Sequence, residues 1–147
     1  MPLDQQHAMR HDRHMTTTTA PVTAIAAAPS DAAERHFASL LAFETDCWDV
    51  HASLTAGAPG FVVVDVRSAD AFAAGHVDGA VSMPHAQISG DALADWADDT
   101  LFVVYCNGPH CNGADRAALN VARLGRPVKK MIGGVTGWLD EGFGLTT

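Results

Sequence analysis

The chain has 147 residues, 48% of them hydrophobic, with 17 acidic and 9 basic side chains giving a net charge of -8. That length suits one domain plus a tail, and the acidic balance speaks against general nucleic-acid binding, which needs a basic surface. Three cysteines, Cys47, Cys106 and Cys111, are too few and too odd in number for a disulfide framework.

Reduced thiols fit an expected cytoplasmic setting. No stretch approaches the ~20 apolar residues of a membrane span. The mildly apolar residues 20–29 lack leucine and carry threonine, which disfavours an export signal.

In chain order, residues 1–30 read as a disordered tail. His7, Arg10, His11, Arg13 and His14 give way to Thr16 through Thr19 and then to alanine and proline, with no apolar periodicity to offset the entropy of ordering. The ordered domain is expected over residues 31–147. Asp31 is placed to cap a helix carrying Ala33, Phe37, Leu40 and Leu41, with Glu34 at the capping-box position. Asp46 is placed to cap a second over 47–56, bearing Trp48, His51 and Leu54 and ended by Gly57 and Pro59. The apolar, β-branched run 61–66 reads as a strand buried on both faces. A short helix over 69–74 stops at Gly75, and a second short strand over 80–83 stops at Pro84.

Residues 91–97 predict a further helix presenting Leu93 and Trp96, and 101–105 another buried strand running into Cys106. From Ala114 the pattern turns helical, with Ala117, Ala118, Val121 and Ala122 on one face and Gly125 as the stop. A last strand over 128–132 leads through Gly133-Gly134 into a closing helix with Trp138 and Leu139. Strands alternating with helices imply a single α/β domain, a central parallel sheet with helices on both faces.

Ligands of such sheets gather beyond the carboxyl ends of the strands. Cys106 stands at such an end, followed by Asn107, Gly108, Pro109, His110, Cys111, Asn112 and Gly113 before a helix begins. The glycine and proline positions let the backbone curl and aim N–H groups inward, and the helix start adds a positive dipole end. A thiol there is expected to have a lowered pKa and to act as a nucleophile without a separate base. The plain alternative is a small buried apolar side chain. A cysteine phosphatase wants an arginine six places after its nucleophile, where this chain has Asn112. Zinc on Cys106, His110 and Cys111 lacks a fourth ligand and the usual spacing. A Cys106–Cys111 disulfide is open to the chain if the loop bends.

Several segments carry a family likeness. Asp65-Val66-Arg67 with Asp70 and Phe72, then Gly75-His76-Val77-Asp78-Gly79-Ala80 and Pro84, Tyr105-Cys106, and Gly133-Gly134 with Trp138 together resemble the rhodanese-like domain family over roughly residues 46–142. The resemblance implies a sulfurtransferase: a cysteine takes a sulfane sulfur from thiosulfate or a small or protein-borne persulfide, then passes it to a thiol or cyanide. It implies no metal or cofactor and a monomer or homodimer. Cys106 is the implied nucleophile; counting from Cys111 toward Arg116 selects Cys111 instead. Asn107, Gly108, His110, Cys111, Asn112, Gly113 and Arg116 are the implied substrate-binding residues. This loop is longer than the family's and holds no lysine or arginine, which counts against thiosulfate. Asp65, Arg67, Asp70 and His76 are expected to be structural, Asp70 being a candidate partner for Arg67 and His76 a turn-fixing hydrogen bonder. Trp48, Trp96 and Trp138 read as core or lid packing, and Cys47 as buried filler. The rival from another class is a binding module that keeps the fold without the chemistry.

Overall fold

The computed structural model describes residues 20–147; the tail expectation over 1–19 lies outside them. A short N-terminal unit ends at Phe37 and a compact one covers 38–147. The first contains a 3-10 turn, Pro21–Thr23, and the opening turns of α1 (Ser30–Phe43). Asp31 falls in the first turn of that helix rather than before it.

The compact unit continues with β1 (Glu44–Asp46), α2 (Cys47–Thr55), β2 (Phe61–Asp65), α3 (Ala69–Ala74) and β3 (Val81–Ser82). After a 3-10 turn, His85–Gln87, come β4 (Leu101–Tyr105), α4 (Gly113–Arg123), β5 (Val128–Ile132) and α5 (Gly134–Asp140). The five strands among the described residues form one parallel sheet in the order β1-β5-β4-β2-β3. The fold is α/β, as the alternation of elements implies. Asp46 caps α2 by accepting from the Asp49 N–H at 2.8 Å. Ser68 does the same for α3 toward Ala71 at 3.1 Å.

Alternation along the central strands sorts side chains into two cores, as a period of two requires. Val64, Phe102, Val104 and Cys106 join Ala114, Ala117 and Val121 of α4 on one face. Val63, Val103 and Tyr105 join Cys47, Val50, Met131 and Trp138 on the other. Cys47 is buried filler at the start of α2.

Two expectations are corrected, and one strand is new. Residues 91–97 form turns, not a helix. Leu93 is buried as its periodicity suggested, but the Arg126 guanidinium donates to the carbonyls of Leu93, of Trp96 at 3.1 Å and of Ala97 at 2.7 Å. Those acceptors are satisfied from outside the segment. The new strand is Glu44–Asp46 at the sheet edge, in register with Lys130, Met131 and Ile132. Its polar composition carries no strand pattern. The second correction is Trp48, which is 61% exposed, whereas Trp138 is buried and donates Nε1–H to the Gly144 carbonyl at 2.9 Å. Trp96 sits edge-on to Phe102. Among the described residues no helix is long and apolar enough to cross a membrane.

Candidate functional site

β4 lies between β2 and β5, so its carboxyl end opens where connections diverge to either side of the sheet, the usual ligand crevice of open parallel sheets. Cys106 leaves β4 there, 6% exposed. The loop beyond it is fastened by main-chain bonds to the start of α5. The Cys106 carbonyl accepts from the Val135 N–H at 3.0 Å and the Asn107 carbonyl from the Thr136 N–H at 2.9 Å, and the Thr136 hydroxyl also donates to Asn107. A tight turn, Cys111 N–H to the Gly108 carbonyl at 3.1 Å, then folds the chain back. It brings the Cys111 sulfur to 2.7 Å from that of Cys106. Both thiols are free.

The two neighbouring thiols are shifted in opposite directions. Burial first, and then the hydrogen bond to Cys111, push the Cys106 thiol up to about 11. The Cys111 thiol is lowered, chiefly because it accepts from Cys106 and then from the Gly113 N–H, 3.4 Å away. The downward shift expected of Cys106 thus falls instead on Cys111, the half-buried member of the pair. Desolvation disfavours charge on the deeper sulfur, while hydrogen bonds to the sulfur nearer solvent favour it.

Gly113 makes the pairing possible. A Cβ there would lie 2.8 Å from the Cys106 sulfur and 3.4 Å from that of Cys111. We expect Gly113→Ala to force the sulfurs apart and weaken the bond that lowers Cys111. Its alkylation-rate profile with iodoacetamide should move toward alkaline pH, toward an ordinary thiol. An unchanged profile would mean that the pairing does not set Cys111 reactivity.

Two clefts meet at the dithiol. One of about 220 Å³ is lined by Cys106, Gly108, Cys111, Asp115, Lys130 and Gly133, among others. A second of about 380 Å³ is lined by Arg67, Ser68, His85, Cys106, Asn107 and Cys111, among others. Their cations are already engaged: Lys130 Nζ donates to Asp115 at 2.9 Å and lies 3.6 Å from Glu44, and Arg67 is bound by Asp65. Asn112 and Gly113 line the second cleft. His110 and Arg116 are exposed and line neither, and Arg116 donates to the Asn112 side chain at 3.2 Å. Sequence reasoning missed Lys130 and His85 at the cleft walls; the only hint for Lys130 was a charged residue in an otherwise strand-like run.

Beneath the loop lies a buried polar network. Asp65 is fully buried and accepts from the backbone N–H and guanidinium of Arg67 and from the Tyr105 hydroxyl at 2.7 Å. That hydroxyl in turn accepts from the Val77 N–H at 3.0 Å. Arg67 also donates to the Gly75 carbonyl at 2.6 Å. Its partner is Asp65, not Asp70, which is exposed in the first turn of α3. Helix α3 starts at Ala69, so Asp70 meets the positive end of the helix instead of the guanidinium. His76 stacks on Phe72 with centroids 3.7 Å apart, and its Nδ1 is 2.9 Å from the Phe72 carbonyl. The part of Tyr105 was not legible in sequence, because a tyrosine in an apolar strand reads as core. Among the described residues no group of three or more histidines, cysteines and carboxylates is arranged to hold a metal.

This chain belongs to the rhodanese-like domain family, whose model matches residues 49–141. It is similar to the HTH-type transcriptional regulator Rv0324 of Mycobacterium tuberculosis, 36% identical over 86 residues, which are 54% of this chain and 38% of that protein. The chain thus matches well under half of that relative's length. Among solved structures it resembles the BH2092 protein of Bacillus halodurans, at 36% identity and a TM-score of 0.78 over 80% of this chain and 86% of that one. It also resembles a thiosulfate sulfurtransferase from Pseudomonas aeruginosa, at 25% identity and a TM-score of 0.57, covering 71% of this chain and 19% of that one.

Proposed function

We propose that this chain is a sulfurtransferase that accepts a sulfane sulfur on Cys111, with Cys106 as the thiol that tunes it. The observation that carries the reading is the 2.7 Å pair of sulfurs at the carboxyl end of β4. The Cys111 thiolate attacks the outer sulfur of the donor. A Cys111–sulfur bond forms, the donor's own S–S bond breaks, and the donor leaves as a thiolate (as sulfite, were thiosulfate the donor). Loop N–H groups around the pair stabilise the negative persulfide.

The charge environment favours a thiol persulfide over thiosulfate. A dianion would meet Lys130 and Arg67 already neutralised by Asp115 and Asp65, in a chain of net charge -8. Like-charge approach into such a cleft is unfavourable. The likeness to a thiosulfate sulfurtransferase supports sulfur transfer as the reaction class, with the donor differing.

The test is intact-mass measurement after brief exposure to glutathione persulfide. We expect the wild type to gain one sulfur atom, Cys106→Ser to gain it too, and Cys111→Ser to gain none. The rate should fall as pH drops below the lowered Cys111 value, because protonation removes the nucleophile. Loss of loading in Cys106→Ser alone would transfer the nucleophile's role to Cys106. Absence of sulfur on the wild type with any donor would leave the second reading, a binding module without turnover. That reading draws on the likeness to part of a transcriptional regulator.

A further inference from the structure

We propose that Cys106 resolves the persulfide formed on Cys111, so that the loop releases inorganic sulfide, closes as a Cys106–Cys111 disulfide, and needs an external dithiol to reopen it. This rests on the sulfur-acceptance reading and adds the fate of the sulfur and the class of partner that completes turnover.

The geometry favours resolution within the loop over transfer to a second molecule. Cys106 is 6% exposed and its sulfur is 2.7 Å from that of Cys111. The Gly108–Cys111 turn holds the two together in the resting loop, and the missing side chain at Gly113 leaves them room. An external thiol must diffuse in, whereas Cys106 is already beside the sulfur to be attacked, and such positioning removes most of the entropic cost of a bimolecular step.

The step balances. The negative outer sulfur of the Cys111 persulfide takes the Cys106 proton, and the Cys106 thiolate so formed attacks the inner sulfur. A bond forms between the two cysteine sulfurs, the bond to the outer sulfur breaks, and that sulfur leaves as hydrosulfide with the proton Cys106 gives up. The two electrons the pair loses in becoming a disulfide are those that convert the sulfane sulfur to sulfide. Burial holds the Cys106 thiol protonated in the resting loop, so the proton it delivers is in place. Reopening is ordinary thiol–disulfide exchange. Cys111 lines both clefts, so a reducing dithiol reaches its sulfur from either side and frees Cys106.

The experiment uses the full, pre-reduced chain under anaerobic conditions with one equivalent of glutathione persulfide and no added thiol. Dissolved sulfide and intact mass are followed together. The wild type is expected to gain a sulfur transiently, then to release it as sulfide and end two hydrogen atoms lighter than at the start. Cys106→Ser should keep the extra sulfur and release no sulfide. Adding dithiothreitol should restore the reduced mass and permit a second round. A wild type that holds its persulfide without forming the disulfide overturns this inference and leaves sulfur acceptance standing. Sulfide release from Cys106→Ser at the wild-type rate overturns it as well. A wild type that never gains sulfur removes sulfur acceptance and the inference together.

Discussion

Asp65→Ala is expected to lower folding stability by about 3–5 kcal/mol, the usual result of removing one partner from a buried ion pair. The Arg67 side chain is only 9% exposed and that of Asp65 not at all. Without the carboxylate, the guanidinium keeps a single acceptor, the Gly75 carbonyl, and its charge has no counter-ion. The Arg67 N–H and the Tyr105 hydroxyl lose their acceptors too. A domain of this size is stable by roughly 5–15 kcal/mol, so the loss is a large share of the total. Tyr105→Phe should cost less, about 1–3 kcal/mol, because it removes no charge partner but deprives the buried Val77 N–H of its acceptor. Urea denaturation with an unchanged slope measures both. An Asp65→Ala cost equal to or below that of Tyr105→Phe would show that the carboxylate is not what neutralises Arg67. The network matters to the site through chain connectivity: Tyr105 immediately precedes Cys106, so anchoring its hydroxyl fixes the last residue before the loop.

What sequence could and could not reveal follows from how each feature is encoded. Apolar strands 61–65 and 101–105, and the one-sided helix after Cys106, announce themselves because burial demands a continuous or periodic apolar pattern. β1 is held by backbone pairing at the sheet edge, which places no such demand on Glu44, Thr45 or Asp46. Residues 91–97 carry helical spacing of Leu93 and Trp96, yet the decisive partner, Arg126, lies 29 or more residues away. Local pattern cannot register a donor that arrives from that distance. The same holds at the site. The glycine-rich loop after Cys106 pointed to a cradle for one sulfur. That the turn at Gly108 returns a second sulfur, Cys111, onto the first depends on backbone angles that no spacing rule specifies. The sign of the Cys106 shift then reversed, since a thiol covered by another thiol is more desolvated than one facing a ring of N–H groups.

Gly134→Ala should damage fold and chemistry together. Gly134 has φ of +56°, and a Cβ there would run into the Cys106 carbonyl oxygen and lie 2.9 Å from both the Asn107 carbonyl carbon and the Gly108 nitrogen. All three are main-chain atoms, so no side chain can swing aside. The left-handed backbone alone costs a residue other than glycine about 1–2 kcal/mol, and forcing packed atoms apart adds about 1–3 kcal/mol. Gly142→Ala separates the two contributions. It shares the positive φ, +86°, but a Cβ there meets nothing within 4 Å, so it should show the conformational cost alone. The displaced atoms in Gly134→Ala include Cys106 and Gly108, which set the position of one sulfur and of the turn that carries the other. Loss of the low-pH limb of Cys111 alkylation is therefore expected in Gly134→Ala and not in Gly142→Ala. Equal destabilisation by the two variants, with Cys111 equally reactive in both, would mean that the cysteine loop does not rest on the α5 start. The sulfur pair would then have to be held by the loop's own turn.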